Sequence, residues 1–258
     1  MRPEQLQEKT QSFIKQKKHE AKAKGVIVGL SGGIDSATTL KLAVNALGPE
    51  NVTALIMPGK PTKKDNMKDA IELAKDLDVG KIEITINSTV KAFEQNIDFE
   101  PSKETSGNIR ARTRMVYTYA YANENNLLVL GTGNRTEYLL GYFTKYGDGA
   151  TDIVPLMDLY KTEVKELARH IGLDEKFIQK EPTAGLWEGQ TDEDEIGATY
   201  EEMDKILKKL ADQEKTVEET SQELDIEEDR IIKLDKMHQA SKHKRKGPQG
   251  LKIFEERN

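Results

Sequence analysis

The sequence predicts an α/β fold, a parallel sheet with helices on both faces, and three observations predict it. Short β-branched apolar runs alternate along the chain with stretches of helical periodicity. The first of these runs, Gly25 to Leu30, is apolar throughout, as a strand covered on both sides is. Glycines punctuate the ends of the helical stretches, so strand and helix recur as one repeated unit, which implies parallel strands joined by right-handed crossovers.

Each element follows in order. The stretch up to Lys24 is polar and helical. After the strand at Gly25–Leu30 and the turn Ser31-Gly32-Gly33, the residues Ala37, Leu40, Val44 and Leu47 keep helical spacing until Gly48-Pro49 stops them. Val52 to Met57 reads as a second strand. Met67, Ala70, Ile71, Ala74 and Leu77 form one helical face ended by Gly80, and Ile82, Ile84 and Ile86 alternate as a third strand. A long helix covers about Asn108 to Asn125, and Leu127 to Leu130 is a fourth strand. Val164, Leu167, Ala168 and Ile171 give a further helical stripe that Gly172 ends. From about Asp192 the chain turns acidic and then mixed in charge, with helical spacing at Tyr200, Met203, Ile206, Leu207 and Leu210. The expected organisation is one domain, with an α/β core over residues 1–190 and a helical extension over 191–258, in which Lys208 to Glu219 is the expected flexible stretch.

Bulk properties narrow the function. A chain of 258 residues can bury the core of one large α/β domain. The net charge of -6 argues against a general nucleic-acid binder. There is no run of about 18 apolar residues to span a membrane and no signal-peptide core at the N-terminus, so a cytoplasmic location is expected. The absence of cysteine excludes disulfides, thiolate metal sites and a cysteine nucleophile within this chain.

Ligands of such sheets bind at the carboxyl ends of the strands. Two loops therefore matter, those after Leu30 and after Leu130. In the first, Gly29-Leu30-Ser31-Gly32-Gly33-Ile34-Asp35-Ser36 joins strand to helix. Adjacent glycines let backbone N–H groups turn inward, and the following helix adds the positive end of its dipole, which suits phosphate. Ser31 and Ser36 can donate hydroxyls. A carboxylate, Asp35, belongs beside a phosphate nest if Mg2+ lies between them. The string is neither a Walker A loop nor G-x-G-x-x-G; read alone it is also compatible with a plain tight turn.

In its full context this loop resembles the pyrophosphate-binding motif of the N-type ATP pyrophosphatases, which cleave ATP between the α- and β-phosphates. The second half of the chain narrows the resemblance. The ordered set Gly131-Thr132-Gly133-Asn134-Arg135-Thr136-Glu137, Gly141 to Gly149, Thr151-Asp152, Leu159-Tyr160-Lys161, Glu181-Pro182-Thr183-Ala184, Leu186 to Glu193 and His243-Lys244 resembles the NAD synthetase family over about residues 10 to 250. The resemblance implies an adenine nucleotide alpha hydrolase-like, Rossmann-like fold. It also implies amidation of deamido-NAD (nicotinic acid adenine dinucleotide) by ammonia, with ATP as co-substrate and an acyl adenylate as intermediate. It implies ATP contacts at Gly29 to Ser36, Thr132, Lys161 and Thr183, and Mg2+ ligands at Asp35 and Glu137. Contacts to the deamido dinucleotide are implied at Arg112, Lys145, Asp152, His243 and Lys244, with Asp148 orienting or deprotonating ammonia. Tyr142 or Phe143 is the candidate to stack on a flat ring, and Trp187 reads as a packing anchor. A homodimer is implied, with no nucleic-acid or membrane partner, and ammonia comes from solution or another chain, because glutamine-dependent members add a cysteine-bearing domain. Two rival readings stand beside this one: another N-type ATP pyrophosphatase, GMP synthetase-like or tRNA-modifying, and a non-catalytic adenine-nucleotide module.

Overall fold

The computed structural model of the chain describes residues 1–183, 185, 187, 189, 191–251 and 253. Its first part runs α1 (Pro3–Glu20), β1 (Gly25–Gly29), α2 (Ile34–Leu47), β2 (Val52–Ile56), α3 (Lys64–Asp76), β3 (Gly80–Glu83), α4 (Asn87–Asn96), α5 (Lys103–Asn125) and β4 (Leu127–Leu130). It continues through α6 (Arg135–Leu140), α7 (Lys161–His170), α8 (Glu175–Ile178), α9 (Asp192–Ile196), α10 (Tyr200–Leu207), α11 (Val217–Leu224) and α12 (Glu228–Ala240).

Among the described residues, four strands form one parallel sheet in the order β3-β2-β1-β4. Val26 of β1 stands between Val52 and Leu128 of its neighbours. The chain lays down β1, β2 and β3 outward in one direction and then crosses back to place β4 on the other side of β1. The crevice between the ends of β1 and β4 is thus the switch point, where an open α/β sheet takes its ligand. Beyond β4, Leu130 pairs with Ile153 in a single parallel bridge that extends the sheet edge.

The pleat assigns the two cores. Val26, Val28, Ala54 and Ile56 face one side, packed with Ile14 of α1, Leu40 of α2 and Val164 of α7. Ile27, Leu55 and Val129 face the other, with Val90 of α4 and Ile109 of α5. A further core joins Leu139, Leu140 and Tyr160 to Ile196, Tyr200, Met203 and Ile231 of the later helices. The C-terminal helices are thereby seated directly on α6. No helix among the described residues is long and apolar enough to cross a membrane.

Several elements differ from the sequence reading. The long helix begins at Lys103, one turn earlier than expected, because Ser102 caps it by accepting from the Thr105 N–H. The third strand ends at Glu83, although Ile84 and Ile86 still donate to the carbonyls of Ile56 and Pro58; Ile86 then caps α4, an element absent from the sequence reading. The preceding helix closes at Asp76, with Asp78 taking the left-handed conformation and Gly80 opening the strand. The stretch Lys208 to Glu219, expected to be flexible, is largely helical: a wide turn over Lys208–Asp212 continues α10, and Thr216 caps α11. Asp212 is pinned by Arg135 and by the Tyr160 hydroxyl, the latter at 2.8 Å.

Candidate active site

A cavity of about 540 Å3 opens at the switch point, within the size range of small-molecule sites. The turn after β1 forms its floor. Gly32 has φ +80°, and a Cβ there would come within 2.1 Å of the Asn66 carbonyl, so only glycine fits. Ser36 holds the turn closed: its hydroxyl accepts from the Ser31 N–H at 3.2 Å and donates to the Gly33 carbonyl at 3.0 Å, while Gly33 N–H reaches the Ser31 hydroxyl at 3.3 Å. No side chain caps the start of α2, so its dipole points into the cavity. Lys180 crosses from after α8 to donate to the Gly32 carbonyl at 2.9 Å, which ties the segment before Thr183 to the same turn. Thr183, in turn, accepts from the Gly185 N–H.

Asp35 sits in the first turn of α2. Across the switch point, Asn134 ends the loop after β4 and caps α6: its side chain accepts from the Glu137 N–H at 3.0 Å, and Glu137 returns a carboxylate to the Asn134 N–H at 3.3 Å. The wholly buried Asn134 also donates from Nδ2 to Asp35 at 3.0 Å, so one amide orients both acids. Between them lies Lys161, 1% exposed, its ammonium 2.5 Å from Asp35 and 3.3 Å from Glu137. The two acids therefore converge on one cation position. Burial works against the Lys161 charge, yet Asp35 and Glu137 outweigh it and hold the pKa above the ordinary lysine value. Burial pushes the Glu137 carboxyl up, Lys161 opposes this, and the charges of Asp35 and Asp192 add to the rise. Beyond Lys161, the Tyr200 ring lies 4.7 Å from its ammonium, and the Tyr200 hydroxyl donates to Asp192 at 2.8 Å.

The C-terminal helices set the angle of this group. Buried Asp204 of α10 accepts from the Thr136 hydroxyl and from the Thr162 N–H, and Thr136 accepts from the Lys161 N–H at 3.0 Å. One carboxylate thus joins the N-termini of α6 and α7, the helices that carry Glu137 and Lys161.

The far wall holds Asp148. Its carboxylate accepts from the Thr144 N–H at 2.9 Å, which fixes its direction. It is exposed into the cavity, and desolvation by the surrounding walls raises its pKa against the pull of Thr144 and Lys244. Lys244 donates to the carbonyls of Gly141 at 2.6 Å and Phe143 at 2.9 Å, closing the wall from the C-terminal end. Gly141 allows that approach: with φ +67°, a Cβ there would meet Ser241 at 2.1 Å. Phe143 stacks on Tyr138, and the Tyr142 hydroxyl donates to Glu195 at 2.9 Å. Trp187 lines the mouth with the Lys103 ammonium 4.5 Å over its ring.

Of the residues singled out in the sequence, Gly29 to Ser36, Thr132, Glu137, Asp148, Lys161, Thr183 and Lys244 come together around this cavity, Gly32 doing so from within the turn. Arg112, Lys145, Asp152 and His243 stand outside its lining. Arg112 is exposed and donates to the Lys145 carbonyl at 3.2 Å, and Lys145 donates to the His243 carbonyl at 2.8 Å. Asp152 accepts from the Val129 N–H and the Tyr119 hydroxyl, bracing β4. Ala184, Leu186, Glu188 and Gln190 of the ordered set lie outside the described residues. Residues to which the sequence reading gave no role in the site include Asn134, Lys180, Asp192, Tyr200 and Asp204. Only Asn134 carried a local signal, the N-x-x-E spacing of a capping box.

The family model described as NAD synthase matches residues 6–248. An NH(3)-dependent NAD(+) synthetase of Thermococcus sibiricus is 47% identical over 242 residues, 94% of each chain. Among solved structures, an NMN synthetase from Francisella tularensis superposes with a TM-score of 0.88 at 37% identity, covering 98% of this chain and all of that one (100%). An NH3-dependent NAD synthetase from Campylobacter jejuni, solved with nitrate, gives 0.83 at 35% identity with the same coverage, 98% and 100%. Agreement of sequence and backbone over almost the whole length means that this chain belongs to the NAD synthase family.

Proposed function

We propose that this protein is an ammonia-dependent NAD synthetase, amidating deamido-NAD at the expense of ATP cleaved to AMP and pyrophosphate. The observation that carries this reading is the Lys161 ammonium held between Asp35 and Glu137 beside the glycine turn. It is a compact set of opposite charges at the one place in the sheet where a nucleotide triphosphate would lie.

A carboxylate resists attack by ammonia because its charge repels the nucleophile. In the first half-reaction its oxygen attacks the α-phosphorus, the bond to the bridging oxygen breaks, and pyrophosphate leaves. Negative charge gathers on the departing diphosphate, where the start of α2, the turn from Gly29 to Gly33, Ser36 and Lys161 would receive it; Thr132 and Thr183 would hold the rest of ATP. Asp35 and Glu137 fit Mg2+: both are hard oxygen donors that line the cavity beside the glycine turn, and Mg2+ is commonly held by one or two carboxylates plus substrate phosphates. When bound there, the ion would offset phosphate charge. In the second half-reaction ammonia attacks the acyl carbon, AMP leaves, and the nitrogen loses a proton. Asp148 is the group to orient ammonia and take that proton. Its direction is fixed by Thr144, and its raised pKa makes it a better proton acceptor than an ordinary carboxylate.

The dinucleotide would extend past Lys244 toward Lys145, His243 and Arg112, with Asp152 at the same end. Arg112 lies on the outer side of α5 one turn from exposed Val116, and Phe93 of α4 and Phe99 ahead of α5 are also exposed. These apolar side chains support a homodimer that buries this side of α5 and completes the dinucleotide site. Light scattering is expected to return twice the 29.0 kDa chain mass; a monomer at working concentration would remove the dimer from the proposal. The proposed compartment is the cytoplasm, where ATP is at hand.

The test is direct. Protein given ATP, Mg2+, ammonium and deamido-NAD is expected to produce NAD and AMP in equal amounts. Nicotinic acid mononucleotide, supplied instead, separates this reading from an NMN synthetase like the Francisella neighbour, and xanthosine monophosphate separates it from a GMP synthetase-like enzyme. Turnover of either substitute in preference to deamido-NAD would overturn the assignment.

A further inference from the structure

Arg114 lines the same cavity as the glycine turn, from α5, and none of the roles above uses it. Its Nε donates to the Met57 carbonyl at 3.1 Å, just beyond the end of β2. Gly59 leaves space beside it, since a Cβ there would stand 3.4 Å from Nη2. No carboxylate among the described residues forms an ion pair with Arg114: Asp148 attracts it only from a distance, and Arg110 adds like charge. Desolvation lowers its pKa to about 10, which leaves it cationic at neutral pH. A guanidinium taken largely out of water without a counter-ion is costly in a folded protein. Its position in the wall of a ligand cavity gives that cost a purpose, because the counter-ion can arrive with the substrate.

We propose that Arg114 binds a substrate oxyanion over the end of β2, a phosphate or carboxylate oxygen of the two reacting molecules. This rests on the synthetase reading and adds to it a binding residue in the wall of the same cavity, beyond the end of β2. The planar fork is fixed at one edge by Met57, which leaves its terminal nitrogens to make the paired contacts that an oxyanion accepts.

The test uses Arg114→Met and Arg114→Lys in the full chain. Calorimetric titration with a non-hydrolysable ATP analogue and, separately, with deamido-NAD gives two affinities, and thermal melts without ligand give stability. Arg114→Met is expected to weaken one of the two ligands by about tenfold to a hundredfold, the loss of a charged hydrogen-bonding partner. Arg114→Lys should keep part of that affinity as a point charge. Loss confined to the ATP analogue assigns the oxyanion to ATP; loss confined to deamido-NAD assigns it to the acid substrate. Unchanged affinity for both overturns the proposal. So does a drop in ligand-free stability with affinities of the folded protein intact, which would make Arg114 a brace for the loop after β2. Failure of the parent protein to make NAD would instead overturn the synthetase reading, so the two failures are distinguishable.

Discussion

Lys161→Met is expected to lower AMP formation by about a hundredfold to a thousandfold, the usual cost of deleting one preorganised charge from a site where charge develops. Lys161 is the first residue of α7, where a cation opposes the helix dipole, and it is nearly inaccessible to solvent. Only Asp35 and Glu137 make that position tenable, so their removal or its own changes both charge and fold. Truncating one member of a fully buried ion pair costs about 3–5 kcal/mol. Here the carboxylates keep 17% and 18% of their side-chain exposure, so the loss belongs near the low end, about 2–3 kcal/mol.

The pH dependence has a definite sign. The Glu137 carboxyl already titrates above the ordinary glutamate range, and losing Lys161 raises it further. A carboxyl with a folded pKa above its unfolded one is favoured when protonated. Its contribution to stability is therefore full below the unfolded pKa and is lost as pH rises through the folded value. With the parent's Glu137 carboxyl at about 8, the stability deficit of Lys161→Met should thus be smaller at about pH 7 than at about pH 9. Added Mg2+ should raise the melting temperature of the variant more than that of the parent, because the ion can take the vacated cation position. Wild-type AMP output from the variant would remove Lys161 from the reaction.

Why some of this site was legible in the sequence, and some was not, follows from the range of each interaction. The turn from Gly29 to Ser36 is closed by bonds spanning five residues or fewer, so strand, glycines and serine identify it locally. Glu137 is tied to Asn134 three residues away, and the spacing of that pair announces a helix start. Asp204 reaches Thr136 across 68 residues, and Lys161 reaches Asp35 across 126; no local pattern encodes either. The arginines of α5 show a third case. Successive residues turn by about 100°, so Arg112 points roughly 200° away from Arg114. The sequence puts both on one helix, and only the packing of α5 against β4 and β1 decides that Arg114 takes the cavity and Arg112 the outer surface. The alternation of Ile82, Ile84 and Ile86 announces a strand here, but only Ile82 lies within Gly80–Glu83, and α4 lay hidden because its apolar positions are few and only Val90 is buried.

Asp35→Asn is expected to separate the charge of this site from its shape. In the parent, Asn134 donates to one oxygen of Asp35 and Lys161 to the other. An asparagine side chain has nearly the same outline and keeps one accepting oxygen, so the turn should fold, with a loss of about 2–3 kcal/mol because the buried Lys161 ammonium keeps only one of its two counter-ions. What leaves is the negative charge, and with it half of the carboxylate pair that would hold a divalent cation against the phosphates. AMP formation should fall by about a hundredfold to a thousandfold, and the Mg2+ concentration needed for half-maximal residual activity should rise. Asp35→Ala should match the activity loss but cost more stability, because Asn134 then keeps a buried donor without its partner. The comparison is informative because the two variants share one change only. If both lose AMP formation equally while differing in melting temperature, negative charge at residue 35 serves the reaction independently of the fold. If Asp35→Asn made AMP at the parent rate, the carboxylate would serve only to seat Lys161, and the cation would have to be held by Glu137 and the substrate alone.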